Sequence, residues 1–200
     1  MKGASFFLLP AAVGLAAFSF TRPASALGPL DVEVAARVGG GTDPVSLSNN
    51  GPGPTVASQP NAAGFGLGAR AGVSIDWFYA GLSFMDYLGT KSSDGSSLKS
   101  VLYGVEAGYN IRAALFTLRP QLGIGGYSVT QSSGVTEIST GASGPSYTAG
   151  SVYLEPGLTA LDSFGLLLIG ADVNVLLLWP SNGFMTQPAF TAHGQVGVKF

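Results

Sequence analysis

Apolar and polar positions alternate in eight stretches of this chain, separated by segments rich in turn-forming residues. A period of two is that of a β-strand whose faces meet different surroundings. The clearest case is Gly64–Asp76. There Phe65, Leu67, Ala69, Ala71, Val73 and Ile75 alternate with Gly66, Gly68, Arg70, Gly72, Ser74 and Asp76. The same pattern predicts strands over Leu30–Gly39, Trp77–Leu88, Ser100–Arg112, Phe116–Val129, Ala149–Leu161 and Phe164–Leu178, and a last one that ends at Phe200. In that last strand Phe190, Ala192, Val196, Val198 and Phe200 share a face with Gly194, opposite Thr191, His193, Gln195, Gly197 and Lys199. Pro120 and Pro156 fall inside strands. Each lacks a ladder donor, so local bulges are predicted there. Leu166–Trp179 is apolar enough to raise the question of a helical span, but it is too short and holds Asp172 and Asn174 near its centre.

The connections alternate in length. Long polar segments follow the first, third, fifth and seventh strands: Gly40–Ala63, Gly89–Lys99, Thr130–Thr148 and Pro180–Gln187. Very short turns follow the second, fourth and sixth, the last two at Ala113–Leu115 and Asp162–Ser163. An even number of crossings brings both termini to one side. The predicted fold is all-β: an eight-stranded antiparallel up-and-down transmembrane β-barrel, with short periplasmic turns and longer outer loops.

Composition decides which face is expected outside. Charged residues make up 10% of the chain, against about 25% in ordinary soluble domains. The face opposite the apolar one is largely glycine and serine, which suits the crowded interior of a narrow barrel. Aromatics gather near strand ends, where two interfacial girdles would place them. Trp77, Phe78, Phe116, Phe164 and Phe200 lie toward the turns; Phe65, Tyr87, Trp179, Phe184 and Phe190 lie toward the loops. Charges on the polar face are mixed in sign. Arg37, Arg70 and Arg119 can meet Glu33, Glu106, Glu155 and Asp172. An isolated buried charge is costly, so an interior ion-pair network of Arg37, Arg70, Glu106, Arg119, Glu155 and Asp172 is expected. In it Arg70 and Arg119 bridge to Glu106, Glu155 and Asp172 near mid-depth. Such a plug would block diffusion.

The N-terminus has a positive start at Lys2, an apolar run over Phe6–Phe18 and a small-x-small site at Ala24-Ser25-Ala26. This pattern predicts a signal peptide over 1–26 and a barrel domain over 27–200. The apolar run is too short for a membrane anchor and is interrupted by Pro10. Without Lys2 and Arg22, seven basic residues face eleven acidic ones, a net charge of −4. No basic patch appears, so nucleic acid is not an expected partner. The absence of cysteine excludes disulfides and thiolate metal sites.

Candidate chemistry is sparse. His193 is the single histidine. A Ser-His-acid hydrolase is conceivable in composition, but geometry and not composition identifies such a site. Gly66-Leu67-Gly68-Ala69-Arg70-Ala71 matches a dinucleotide motif, yet strand alternation runs through it unbroken. Glu106 and Glu155 sit among arginines, which favours structural pairing over acid–base work. No zinc set or calcium-loop spacing occurs. No catalytic residue, cofactor or metal is expected.

The alternating terminal strand, its final aromatic, and the eight-strand pattern resemble the small eight-stranded outer-membrane barrels, the OmpA/OmpX-like superfamily. The resemblance covers the whole mature chain and rests on architecture. It implies a monomer in the bacterial outer membrane, in contact with lipid and inserted by the outer-membrane assembly machinery, with Phe200 as the assembly signal. It also implies a structural or surface-interaction role, with a surface ligand met at loops 40–63 and 130–148. Two alternatives stay open. One is a lipid-modifying barrel enzyme; one such family uses a His and a Ser two residues later, but position 195 here is Gln. The other is a soluble secreted lipocalin-like barrel with its apolar face turned inward on an apolar ligand.

Overall fold

The computed structural model describes residues 30–42, 44–46, 61–91, 97–113, 116–132, 146–179, 185–186 and 188–200. The expected signal peptide, Phe184, and most of loops 40–63 and 130–148 lie outside the described residues.

Eight strands build the wall: β1 Leu30–Gly41, β2 Gly66–Ile75, β3 Phe78–Tyr87, β4 Ser97–Tyr109, β5 Phe116–Ser132, β6 Ser146–Phe164, β7 Leu167–Leu178 and β8 Ala189–Lys199. β4 resumes over Ile111–Ala113 after a break at Asn110. Each strand pairs antiparallel with its sequence neighbour, and β1 pairs with β8, so the sheet closes on itself. Backbone bonds between Val32 and Phe200, 3.0 and 2.9 Å, extend that seam to the last residue.

The pairing register fixes the shape. Asp31 pairs with Ser74, Ser74 with Tyr79, Tyr79 with Gly108, and Gly108 with Gln121. Gln121 pairs with Gly157, Gly157 with Asn174, Asn174 with Thr191, and Thr191 with Gly41. One circuit therefore returns to β1 ten residues beyond its start. At about 3.3 Å per residue and about 4.8 Å between strands, this stagger tilts the strands by roughly 40°. An eight-stranded barrel of that tilt has an interior that side chains can fill.

Two connections are hairpins of minimal length. Ile75 pairs with Phe78 around Asp76–Trp77, where Asp76 takes φ 53°. Phe164 pairs with Leu167 around Gly165–Leu166, where Gly165 takes φ 66°. The sixth turn therefore lies at Gly165, not at Asp162–Ser163, because glycine supplies the positive φ that a two-residue loop needs. Phe164 consequently ends β6 and does not open β7.

The loop-side ends run further than the alternation predicts. β1 reaches Gly41, β4 begins at Ser97, β5 reaches Ser132 and β6 begins at Ser146. Val45–Ser46 pairs with Met185–Thr186 in a separate two-stranded ribbon. The predicted bulges at Pro120 and Pro156 are absent. Gly108↔Gln121 and Ile111↔Leu118 keep one register on either side of Pro120. Leu154↔Leu177 and Gly157↔Asn174 do the same beside Pro156. What is missing beside each proline is ladder pairing: β4 breaks opposite Arg119 and Pro120, and the β6–β7 ladder is open between Leu154 and Gly157.

The apolar face is outside. Leu82 is 62% exposed and Phe190 65%, and Leu67, Val105, Ile124, Val152, Ile169 and Val173 are exposed likewise. The arginines, acids and amides of the alternate positions are buried inside. This is the inverse of a lipocalin-like barrel. Phe65, Trp77, Phe78, Phe116, Phe164, Trp179 and Phe190 point outward near the strand ends. Tyr87 does not belong with them. It shares strand parity with Tyr79, Ser83 and Met85, so it lies fully buried inside.

Candidate functional site

The interior is the one place where these residues converge, and it is layered along the barrel axis. Nearest the turns, Arg119 of β5 reaches across to Glu33 of β1. Its Nη2 donates to Oε1 and Oε2 at 2.8 and 2.9 Å. Its Nε donates to Asn110 Oδ1 at 2.7 Å, and Asn110 donates to Ser74 Oγ at 3.1 Å. The guanidinium carbon lies 3.7 Å from the centre of the Tyr79 ring. A planar cation can stack on an aromatic face while its edges donate hydrogen bonds.

Above it, Arg70 of β2 donates from Nε to Glu106 Oε1 at 2.8 Å and from Nη2 to Gln121 Oε1 at 2.8 Å. Its Nη1 reaches Gln195 Oε1 at 3.3 Å. Tyr79 donates to the same Glu106 oxygen at 2.7 Å, and Thr159 to Gln121 at 2.7 Å. Arg70 Nη1 also reaches Thr159 Oγ1 at 3.4 Å, so one guanidinium on β2 is bonded to β4, β5, β6 and β8.

The next layer crosses the closing seam. Arg37 of β1 donates to Asp172 Oδ1 of β7 at 2.7 Å. His193 of β8 lies between them, its Nδ1 at 2.7 Å from the same oxygen and its Nε2 at 2.9 Å from Tyr87 OH. With Nδ1–H donating to Asp172, Nε2 is left to accept from Tyr87 O–H. Asn174 donates to Asp172 Oδ1 at 2.6 Å. The hydrogen-bond partners of His193 among the described residues include no serine, and the ring is buried.

The expected site residues thus all face the interior, but their pairing differs in part from the expectation. Arg70 meets Glu106, and Arg37 meets Asp172. Arg119 meets Glu33 and none of the three acids expected for it. Glu155 has no ion pair among the described residues; Thr191 Oγ1 donates to it at 3.3 Å. The reason is height. Arg119 pairs with Thr159 close to the turns, while Glu155 lies four residues further toward the loops on the same strand, at the upper end of the network. Tyr79, Tyr87, Asn110, Gln121, Thr159, Asn174 and Gln195 complete the network without having been expected in it. Their signal in the sequence is parity: each falls on the polar side of its strand's alternation.

Glycines make room for the large side chains. A Cβ on Gly72 would sit 2.4 Å from the Tyr79 ring, and one on Gly104 would sit 2.3 Å from Tyr153 OH. Gly68 of the nucleotide-like motif faces Met85 in the same way, at 2.3 Å. The motif's glycines are sockets in a wall, not a phosphate loop.

The loop end of the interior is apolar, contrary to a uniformly polar lumen. Met85, Tyr87, Leu98, Leu102, Tyr127, Tyr153, Leu176 and Leu178 pack into one buried cluster. The turn at residues 61–65 closes over it, with Ala62 and Ala63 fully buried. That turn is tied down by Asn61 Nδ2 donating to Gly41 O at 2.7 Å and by Ser100 Oγ donating to Ala62 O at 2.6 Å. At the opposite end a polar recess opens among Glu33, Asn110, Arg119 and Lys199.

An outward apolar wall, a charge-paired interior and a closed antiparallel sheet define the class: this is the fold of the small eight-stranded outer-membrane β-barrels. The chain is similar to the N-terminal β-barrel domain of Pseudomonas aeruginosa OprF, with 14% identity and a TM-score of 0.50, covering 85% of this chain and 97% of that one. It is similar also to Neisserial surface protein A, with 18% identity and a TM-score of 0.52, covering 86% and 97%. No family model and no curated protein matches the sequence.

Proposed function

We propose that this protein is an integral outer-membrane β-barrel, non-conducting, that acts as a structural element or a surface-interaction module through its outer loops. The observation that carries the reading is the inversion of the barrel: exposed leucine, valine and phenylalanine outside, three arginines and four acids inside. Water is a poor solvent for that wall and a bilayer is a good one. The seam at Phe200 supports the further reading that the assembly machinery recognises the terminal strand. The short turns then face the periplasm, and segments 40–63 and 130–148 face outward to any surface ligand.

Cysteine substitutions at Lys91 and Ser163, each exposed and at opposite ends of the barrel, test the placement. With an impermeant thiol reagent on intact cells, Lys91→Cys reacts and Ser163→Cys reacts only after lysis. Equal labelling of both, or recovery of the protein without detergent, would overturn the reading.

A further inference from the structure

The outer wall is not uniform at its loop end. An open slot of about 540 Å³ lies there, between Tyr103 of β4 and Trp179 just past β7. Three rows of register partners cross this part of the wall. Nearest the loops, Lys99 pairs with Thr130 and Thr130 with Thr148. In the next row Val101 pairs with Ser128 and Ser128 with Gly150. In the deepest, Tyr103 pairs with Gly126 and Gly126 with Val152, whose carbonyl accepts from the Trp179 amide at 2.9 Å. All three rows have the outward parity of their strands. Successive rows are two residues apart, so together they span about 13 Å along the strands.

The sides of the slot are built and its floor is left bare. The Tyr103 ring lies across Gly126, where a Cβ would meet it at 2.5 Å. Trp179 is held by its amide bond to Val152 and by Ser151 Oγ, which donates to its carbonyl oxygen. Between the two rings, a Cβ on Gly150 would meet nothing within 4 Å. Tyr103, Val152 and Trp179 are each more than half exposed. Polarity then rises toward the loops. Ser128 stands at the upper edge of the slot, and above it the Thr130 and Thr148 hydroxyls share a hydrogen bond at 3.2 Å. Lys99, beside them, is exposed and makes no ion pair among the described residues. Asp86, an acid on the same outward face, stands opposite Val101 and is not bonded to it. A bare apolar slot, a shelf of hydroxyls and an unpaired cation, in that order of depth, match an amphiphile with an anionic head.

We propose that this slot holds one acyl chain of an anionic lipid, the chain lying over Gly150 between Tyr103 and Trp179 and the head's phosphate meeting Lys99 and the hydroxyls of Thr130 and Thr148. The slot is continuous with the wall that faces the bilayer, so its occupant arrives by lateral diffusion in the membrane and not through the interior. Hydrocarbon fills such a slot in preference to water, which would leave its apolar sides wet. A lysine at the membrane surface attracts an anionic head, and aromatic rings at that depth sit where chain gives way to headgroup. This occupancy rests on the barrel lying in a bilayer. The leaflet follows from the proposed orientation of the loops; lipid selection at the slot does not depend on it.

The chain has two tryptophans, Trp179 at the slot and Trp77 at the opposite end of the barrel, which makes lipid contact at the slot readable by fluorescence. A Trp77→Phe barrel is refolded into phosphatidylcholine vesicles that carry, at one mole fraction, either brominated-chain phosphatidylglycerol or brominated-chain phosphatidylcholine, and quenching of Trp179 by the bromine is measured. The anionic lipid should occupy the slot roughly fivefold more tightly, the preference that one lysine near a membrane surface confers. Lys99→Gln should abolish that preference and leave quenching by the zwitterionic lipid unchanged. Gly150→Leu fills the slot without a clash and should reduce quenching by both lipids. Heat-modifiable gel migration establishes that each variant is folded. Quenching of Trp77 in a Trp179→Phe barrel establishes insertion, so a failure of the membrane reading is seen separately. In inserted barrels, equal quenching by the two lipids, a preference that survives Lys99→Gln, or quenching unaltered by Gly150→Leu would overturn the site and leave only ordinary lipid contact with the wall.

Discussion

At the scale of single residues, the interior is held by groups that cannot be removed singly at low cost. Asp172 is 2% exposed, and its Oδ1 receives Arg37, His193 and Asn174 together. Asp172→Ala leaves the Arg37 guanidinium buried with no carboxylate, a change that costs about 3–5 kcal/mol. Urea unfolding in detergent micelles should show it as a lowered midpoint, and a loss under about 1 kcal/mol would remove the clasp from the account. Gly72 gives a second case through space and not charge. A methyl there meets the Tyr79 ring that carries Arg119. Gly72→Ala should destabilise by about 1–3 kcal/mol, the usual range for overpacking. The polar and apolar sides of each strand were readable from alternation alone, and with them the inward direction of Arg37, Arg70, Arg119, Glu33, Glu106, Glu155 and Asp172. Which arginine meets which acid was not readable. Pairing depends on height within the barrel, and height depends on the ten-residue stagger, which no single strand encodes.

At the scale of elements, short turns do more than join neighbours, since a one-residue change in a turn would carry a whole strand to the wrong face. Gly165 holds φ 66° between Phe164 and Leu167, with no atom within 4 Å of a Cβ placed there. A side chain at that site therefore meets backbone strain and no clash. Gly165→Val should cost about 1–2 kcal/mol, from the left-handed conformation alone. Gly165→Asn should cost less, because a short polar side chain tolerates that region. Equal losses for the two variants in urea unfolding would contradict this. The turn's position was misread because Asp162 and Ser163 have turn-forming side chains, yet both continue the β6–β7 ladder opposite Ile169 and Leu168. The prolines were misread for a related reason. A missing N–H removes ladder bonding, but the bonds on both sides of it hold the register, so no extra residue is inserted.

At the scale of the whole molecule, closure is arranged in series. The Arg119–Glu33 and Arg70–Glu106 layers fill the turn half, the Arg37–Asp172–His193 clasp ties the seam, and the apolar cluster with the 61–65 turn caps the loop end. The cap was invisible in the alternation. Leu102, Leu176 and Leu178 read as apolar residues on the polar side of their strands and Leu98 as part of a loop, and only the closed barrel shows that they meet. Barriers in series have a definite consequence for transport: removing one leaves the others in the path. Arg70→Met combined with Glu106→Leu replaces a buried ion pair by apolar side chains and leaves the cap and the clasp in place. A barrel carrying both changes should therefore stay as silent in planar bilayers as the parent, at any salt concentration. Loosening the cap as well, by adding Leu102→Ala and Tyr127→Ala to the same chain, still leaves the Arg119–Glu33 layer and the Arg37–Asp172–His193 clasp in the path, so that barrel should stay silent too. Stable channels in the parent would show that the interior is not closed, and channels in the Arg70→Met, Glu106→Leu barrel alone would show that the Arg70–Glu106 layer is the sole barrier.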